Sequence, residues 1–446
     1  MKAPRRLCAP IAALAAAALL GACGGGEPAR PNLLLITVDT LRADRLGAWG
    51  YERATSPALD AWVESAVRFD DCQASSSWTL ASLASLMTGL STSAHGCWTY
   101  TSALDQEFVT LAEIMSEQGY TTAGVPSHVF LGSRFGLQQG FAEYDESLVM
   151  PGVTRSHKAI SSPPVSQRGL RWLRQNADAS EPWFLWLHYF DPHEDYNVHA
   201  GVSERFGVEQ AEDRYDGEIA FTDRHIGRVL KALEEGGHHE DTIVVFVADH
   251  GEEWREHGRL GHGNTLYDEV TRIPLAISGP GLDPRVVEQS VGVVDVLPTL
   301  LELCDLPLRN ELDGRSLVPL LEGGSREEQP ILLELQLRKN TELAALVEGD
   351  WKLVLDRKSG AVELYDRAAD PLEQLDRSMG EAERVERMLA VLERAVERSL
   401  GRRPNIGLTD GFFTDSGDLS DELYQAIDDL GYTDDGEDED EEHGDD

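Results

Sequence analysis

Basic charge is scarce in this 446-residue chain: Lys and Arg number 39 against 79 Asp and Glu, a formal net charge of −40. A chain this acidic is repelled by phosphate backbones, which excludes nucleic acid as a partner. Its field also opposes anionic small molecules, so an anionic substrate needs local compensation from a metal, Arg42, Arg45 or histidines. From Thr409 on there is no Lys or Arg at all, and residues 403–446 read as an acidic disordered tail, solvated rather than functional. Long apolar runs are missing too: the stretch from about Ala9 to Leu20 is too short to span a bilayer. Cysteine is sparse. With Cys8 and Cys23 near the N-terminus, Cys72, Cys97 and Cys304 remain, and their spacing excludes a zinc knuckle. An exported compartment permits one disulfide, Cys72 with Cys97, although packing is the expected role of all three.

What is present begins with 41% hydrophobic residues, enough for one large α/β domain and a smaller unit. The basic start Met1-Lys2-Ala3-Pro4-Arg5-Arg6, followed by the Ala/Leu-rich stretch, reads as a secretory signal. Leu20-Gly21-Ala22-Cys23 resembles a bacterial lipobox, with residues 1–22 as signal peptide, Cys23 as the lipidated residue and 23–30 as a flexible tether. The expected location is therefore exported, lipid-anchored at the cell envelope of a bacterium, in the periplasm or on the outer membrane.

Two apolar runs end in acid. Residues 32–38 are closed by Asp39 and residues 242–248 by Asp249-His250. Runs of this length, rich in Val, Ile and Leu, read as strands buried on both faces, as in a parallel sheet covered by helices. Such sheets gather ligands at the carboxyl ends of their strands, so both carboxylates and the imidazole can converge on a metal ion. A third run, 183–187, leads to Asp191-Pro192-His193, and Pro192 ends the strand so that His193 falls in a loop at the same edge. Residues 80–88 have the spacing of one apolar helical face and stop at Gly89, which puts Thr79 at the helix start. There it is either an N-cap or a hydroxyl placed to meet a tetrahedral oxyanion. His257 and the Gly-rich Gly261-His262-Gly263-Asn264 add imidazoles after the Asp249-His250 pair. Beyond Arg315 the segments 331–335, 343–347, 351–355 and 362–365 read as a small antiparallel sheet, followed by a charged helix over 381–400.

The stretches Asp39 to Gly47, Thr79 to Gly89, Ala94-His95-Gly96, Ala248 to Glu252, Leu266 to Glu269, Arg272-Ile273-Pro274, Val294 to Thr299, Leu312 to Leu317 and Glu363 to Asp366 together resemble the sulfatase family of the alkaline phosphatase superfamily. The resemblance implies an α/β fold, an alkaline phosphatase-like sandwich with a mostly parallel central sheet, over residues 31–325. It implies a small C-terminal α+β subdomain with an antiparallel sheet over 326–402. It also implies one divalent metal ion (Mn2+, Mg2+, Zn2+ or Ca2+) and hydrolysis of sulfate or phosphate esters. Asp39, Asp249 and His250 match the metal ligands, and Thr79 matches the nucleophile, itself a further metal ligand. His193 matches the histidine that contacts the ester, and His262 lies close to a position where many sulfatases carry lysine.

This chain departs from the usual sulfatase pattern at the helix start. Sulfatases that make formylglycine carry Cys or Ser there, followed by Pro and Ser-Arg, where this chain has Thr79, Ala81, Ser82 and Leu83. Threonine cannot become formylglycine, so none is expected. Thr40 replaces the second Asp of the usual pair. Asp-His in place of Asp-Asn resembles the threonine-nucleophile branch with phosphoglycerol transferases and some phosphodiesterases. The leading expectation is an exported hydrolase with a metal-activated Thr79; the alternatives are a phosphotransferase or phosphodiesterase on the same fold, and a non-catalytic binding lipoprotein. Substrate choice is expected in the loops at 147–164 and 197–210, whose composition names no substrate.

Overall fold

A computed structural model describes residues 30–149, 160–338, 341–403 and 420–428. The expected signal peptide, the expected lipidation site at Cys23, most of the expected tether and most of the acidic tail lie outside the described residues. Residues from Pro31 on form one compact unit.

The apolar runs do become strands. In chain order these are β1 (Asn32–Val38), β2 (Val67–Gln73), β3 (Thr121–Val125), β4 (Glu143–Tyr144), β5 (Trp183–Tyr189), β6 (Thr242–Ala248), β7 (Glu253–Trp254) and β8 (Leu260–Gly261). They continue with β9 (Arg272–Ser278), β10 (Arg285–Val287), β11 (Val291–Gly292), β12 (Ile331–Leu335), β13 (Leu343–Glu348), β14 (Trp351–Asp356) and β15 (Val362–Asp366). The main sheet runs β10-β2-β9-β6-β1-β5-β3-β4, with β11 beside β2. It is mostly parallel: β1 lies between β5 and β6 and is parallel to both, whereas β9 runs antiparallel to β2 and β6. Every residue of β5 and β6 is buried, as are all of β1 after Asn32, which accounts for their unbroken apolar sequence.

Register then sets the site. Val38 pairs with Ala248 on one side and Tyr189 on the other, so Asp39 and Asp249 leave neighbouring strands at the same level. The backbone keeps them there, with the Asp39 amide donating to the Tyr189 carbonyl at 2.9 Å. Thr40 follows at φ 50, a left-handed conformation that a β-branched residue adopts only under constraint. The constraint is visible: its amide donates to Asp249 Oδ1 at 3.1 Å and its carbonyl accepts from the Tyr215 hydroxyl at 2.6 Å.

The expected helix spans Thr79–Thr88 and ends at Gly89, whose φ of 67 suits glycine. Trp78, not Thr79, is the N-cap, and Thr79 is the first helical residue. The helix is buried on every side rather than along one apolar face. Its polar residues are satisfied inward: Ser82 donates to the Asp249 carbonyl at 2.6 Å and Ser85 meets His95 Nε2 at 3.0 Å. Small side chains on this turn let it lie against the strand ends.

The C-terminal strands pair antiparallel in the order β12-β13-β14-β15. The Ala382–Leu400 helix covers them, packing Met388 and Leu392 with Leu346, Leu353 and Leu364. The three cysteines pack as expected, without the disulfide that export would permit, and one expectation, a wholly disordered tail, is corrected. Cys72 and Cys97 are free buried thiols, as is Cys304, and burial pushes the first two well above the usual thiol range. Within the acidic tail, Asp421–Asp428 is a helix with Ala426 and Ile427 buried, because those two residues and the partly buried Leu423 pack against the main core.

Candidate active site

At the carboxyl edge of β1 and β6, Asp39, Asp249 and His250 present ligand atoms within 4.8 Å of one another, all fully buried. Each carboxylate is half satisfied. Asp249 Oδ1 accepts from the amides of Thr40 (3.1 Å) and His250 (2.7 Å), while Asp249 Oδ2 has no hydrogen-bond partner. Asp39 Oδ2 lies 3.3 Å from His188 Nε2 and 3.9 Å from His128 Nε2, while Asp39 Oδ1 has no hydrogen-bond partner.

Hydrogen bonding on the far side of each ring decides which nitrogen carries the proton. His250 Nδ1 donates to the Gly251 carbonyl at 2.9 Å, so Nε2 presents its lone pair to the cluster. His128 Nδ1 accepts from the Phe130 amide at 3.1 Å, so its Nε2 carries hydrogen toward Asp39. For His188 the chain is longer: Trp186 Nε1 donates to Thr37 Oγ1 at 2.9 Å, the Thr37 hydroxyl donates to His188 Nδ1 at 2.8 Å, and Nε2–H faces Asp39. Burial holds His188 neutral, with its pKa down at about 3. His188 Nε2 therefore holds Asp39 Oδ2, His128 Nε2 faces the same oxygen from 3.9 Å without a hydrogen bond, and Oδ1 is left for another partner.

Thr79 Oγ1 stands 3.3 Å from His250 Nε2. This hydroxyl therefore lies beside the cluster of Asp39, Asp249 and His250, next to the His250 Nε2 lone pair. Burial raises the pKa of Asp39 well above the carboxylate range, Asp249 and Glu252 add to the rise, and Asp249 is raised too, so the acids favour a cation between them. Orphaned buried oxygens beside an oriented imidazole fit a divalent metal. The nitrogen ligand favours manganese or zinc over calcium, which takes oxygen donors.

The remaining expected residues fall in the same chamber. The His262 ring lies 4.6 Å from that of His250 and 4.9 Å from that of His193. His193 stacks on Phe190 at 4.6 Å and its Nδ1 donates to the Glu194 carbonyl at 2.7 Å. His262 Nδ1 meets Glu252 Oε1 at 2.9 Å, and burial pushes Glu252 up to about 8. Other expectations fail. Arg42 is held by Asp44 (2.7 Å) and Glu256 (2.6 Å), and Arg45 by Glu212 (3.0 Å), so neither guanidinium is assigned to the chamber. His257 turns away to Glu269 at 2.6 Å and stacks on Tyr267. Sequence reasoning missed His128, His188 and Glu252. His128 had a signal, since it lies just past the end of β3, another parallel strand; His188 sits inside β5 and had none.

The family model for sulfatases matches residues 31–306. The chain belongs to the sulfatase family. It is thus a hydrolase of sulfuric or phosphoric ester bonds, in a family that depends on a divalent metal. A second model, for the C-terminal region of N-sulphoglucosamine sulphohydrolase, matches residues 256–399. Among relatives, this sulfatase is 25% identical over 413 residues to the uncharacterized sulfatase YidJ of Escherichia coli K12, covering 76% of this chain and 82% of that one. It is 25% identical over 385 residues to an arylsulfatase of Clostridium perfringens, covering 66% and 79%. The crystal structure of a phosphonate monoester hydrolase of Agrobacterium radiobacter shares the fold at a TM-score of 0.70 and 22% identity, covering 83% of this chain and 96% of that one.

Proposed function

We propose that this sulfatase is an exported, lipid-anchored enzyme that cleaves sulfate or phosphate esters with Thr79 as the nucleophile. The observation that carries the reading is Thr79 Oγ1 at 3.3 Å from His250 Nε2, on the first turn of a buried helix, beside the unpartnered oxygens of Asp39 and Asp249. A divalent cation held by Asp39, Asp249, His250 and Thr79 would supply positive charge that lowers the hydroxyl pKa and polarises the ester. Thr79 Oγ1 gives its proton to solvent and forms the new bond to sulfur or phosphorus while the bond to the leaving alcohol oxygen breaks. That oxygen takes a proton from Nε2 of His262, which carries hydrogen when the protonated Glu252 carboxyl donates to Nδ1, while His193, with Nδ1–H on the Glu194 carbonyl, offers its Nε2 lone pair to the chamber. Water then attacks the threonine ester, the same imidazole recovers a proton from it, and Thr79 leaves and regains its own proton from solvent. Formylglycine has no place in this scheme, since no cysteine or serine occupies position 79.

A second reading, phosphodiester cleavage or phosphoryl transfer, is favoured by the same Thr79 and by the imidazole of His250 in the metal group. Export and anchoring rest on the basic start, the short apolar stretch and Cys23.

The test is a paired assay of metal-loaded protein on matched aryl sulfate, phosphate monoester and phosphate diester, with Thr79→Ala alongside. We expect loss of about 10³-fold or more in kcat for the best substrate, at unchanged fold. Full activity in Thr79→Ala would remove the nucleophile assignment, and a diester turned over faster than the sulfate would select the second reading.

A further inference from the structure

A cavity of about 270 Å³ lies at the seam where the C-terminal helix and β12 meet the main body. It is distinct from the chamber. Ser91 and Asp313 line it beside Gly89, at the opposite end of the Thr79–Thr88 helix from Thr79, and ten residues of helix span about 15 Å. Its walls carry Arg315, Arg326, Arg394, Arg398 and Arg402 against the carboxylates of Asp295 and Asp313.

Both acids are already engaged. Asp295 accepts from Arg326 Nη2 at 3.0 Å and from the Arg315 amide at 2.7 Å. Asp313 accepts from the Ser91 amide at 2.9 Å and from Ser399 Oγ at 3.0 Å, and pairs with Arg402. The arginines are not satisfied in return. The Arg326 side chain is 10% exposed, and its buried Nε has no acceptor; the buried Nε of Arg402 has none either. Among the described residues the guanidinium groups of Arg315, Arg394 and Arg398 have no ion pair. Arg394, Arg398 and Arg402 follow one another at four-residue steps along and just past the Ala382–Leu400 helix, a spacing at which like charges repel. Concentrated positive charge in a chain of net charge −40 runs against the composition. Planar guanidinium forks match the oxygens of a tetrahedral anion, and the cavity is smaller than the roughly 300–1,000 Å³ of pockets for drug-sized ligands.

We infer that this seam cavity binds a sulfate or phosphate group, either free in solution or carried on a saccharide, at a site separate from the one that cleaves esters. The test is calorimetric titration of the full chain with inorganic sulfate at constant ionic strength, in wild type and in the Arg394→Gln/Arg398→Gln double variant. Both residues are exposed, so the fold is expected to survive, and equal melting temperatures without sulfate check this. The double variant is expected to lose one saturable site or weaken it by about tenfold or more, while hydrolysing an aryl ester at the wild-type rate. A parallel titration with a sulfated disaccharide identifies the source: tighter binding than inorganic sulfate assigns an attached group, and weaker binding assigns the free anion. Identical isotherms in the two proteins, or no saturable sulfate binding in wild type, would overturn the inference.

Discussion

Two charged clusters lie inside this molecule, one fully buried and one largely so, and they differ in how their charges are met. In the seam under the C-terminal sheet, Asp71 pairs with Arg367 at 2.7 Å, Asp268 with Lys352 at 2.7 Å and with Arg367 at 3.0 Å, and Glu373 with Lys352 at 3.1 Å. In the chamber, Asp39 and Asp249 each carry an unpartnered oxygen, and among the described residues neither pairs with Lys or Arg. Burial pushes Asp268 up, but Arg367 and Lys352 more than offset it and hold the carboxyl below its usual range. Burial pushes Asp39 up as well, and there Asp249 adds to the rise. The seam cluster is complete as protein. The chamber leaves its carboxylate oxygens for a partner the protein does not supply, and that difference is what the proposed cation site rests on.

Breaking the seam should have the largest effect. Lys352→Met leaves Asp268 and Glu373 buried without their amine, and loss of one partner of a buried pair costs about 3–5 kcal/mol. Urea denaturation should show this loss equally with metal or with chelator. The chamber should respond in the opposite sense. Asp249→Asn removes one of two facing buried carboxylates at constant shape, so in chelator it should stabilise the protein by about 1–3 kcal/mol, and the gain should shrink or reverse when metal is restored. Denaturation curves in which Asp249→Asn destabilises with and without metal alike would place the chamber in the same class as the seam. The smallest effect concerns the backbone that joins β1 to the site. Thr40→Gly relieves a left-handed β-branched residue while keeping the amide and carbonyl contacts, and should raise stability by about 1 kcal/mol. A fall in melting temperature would show that the Thr40 side chain supports the turn.

The sequence displays the chamber far better than the seam, and the reason is locality. Asp39 and Asp249-His250 each close a continuous apolar run, so the strand and its ligand are read together, and parallel register does the rest. Thr79 is legible for the same reason at a helix start. The seam draws Asp71, Asp268, Lys352, Arg367 and Glu373 from four separate regions, and no spacing links them. His188 is hidden because an imidazole inside a buried strand looks like packing, and its part is visible only when Thr37, Trp186 and Asp39 are in place around it. Arg42 and Arg45 misled because their position after Asp39 suggested anion binding, whereas Asp44, Glu256 and Glu212 claim them. The full burial of the Thr79–Thr88 helix escaped because the apolar spacing marks one face alone, whereas Ser82 and Ser85 are bonded inward as well.

Metal content tests the central claim most directly. The full chain, stripped with chelator and re-equilibrated with manganese, zinc, magnesium or calcium, is weighed by native mass spectrometry beside Asp249→Ala. The account predicts one divalent cation per chain in the wild type, manganese or zinc held more tightly than calcium, and no cation in the variant. A wild-type chain that takes up none of these ions, or a variant that takes up as much as the wild type, would contradict the reading of Asp39, Asp249, His250 and Thr79 as one metal site.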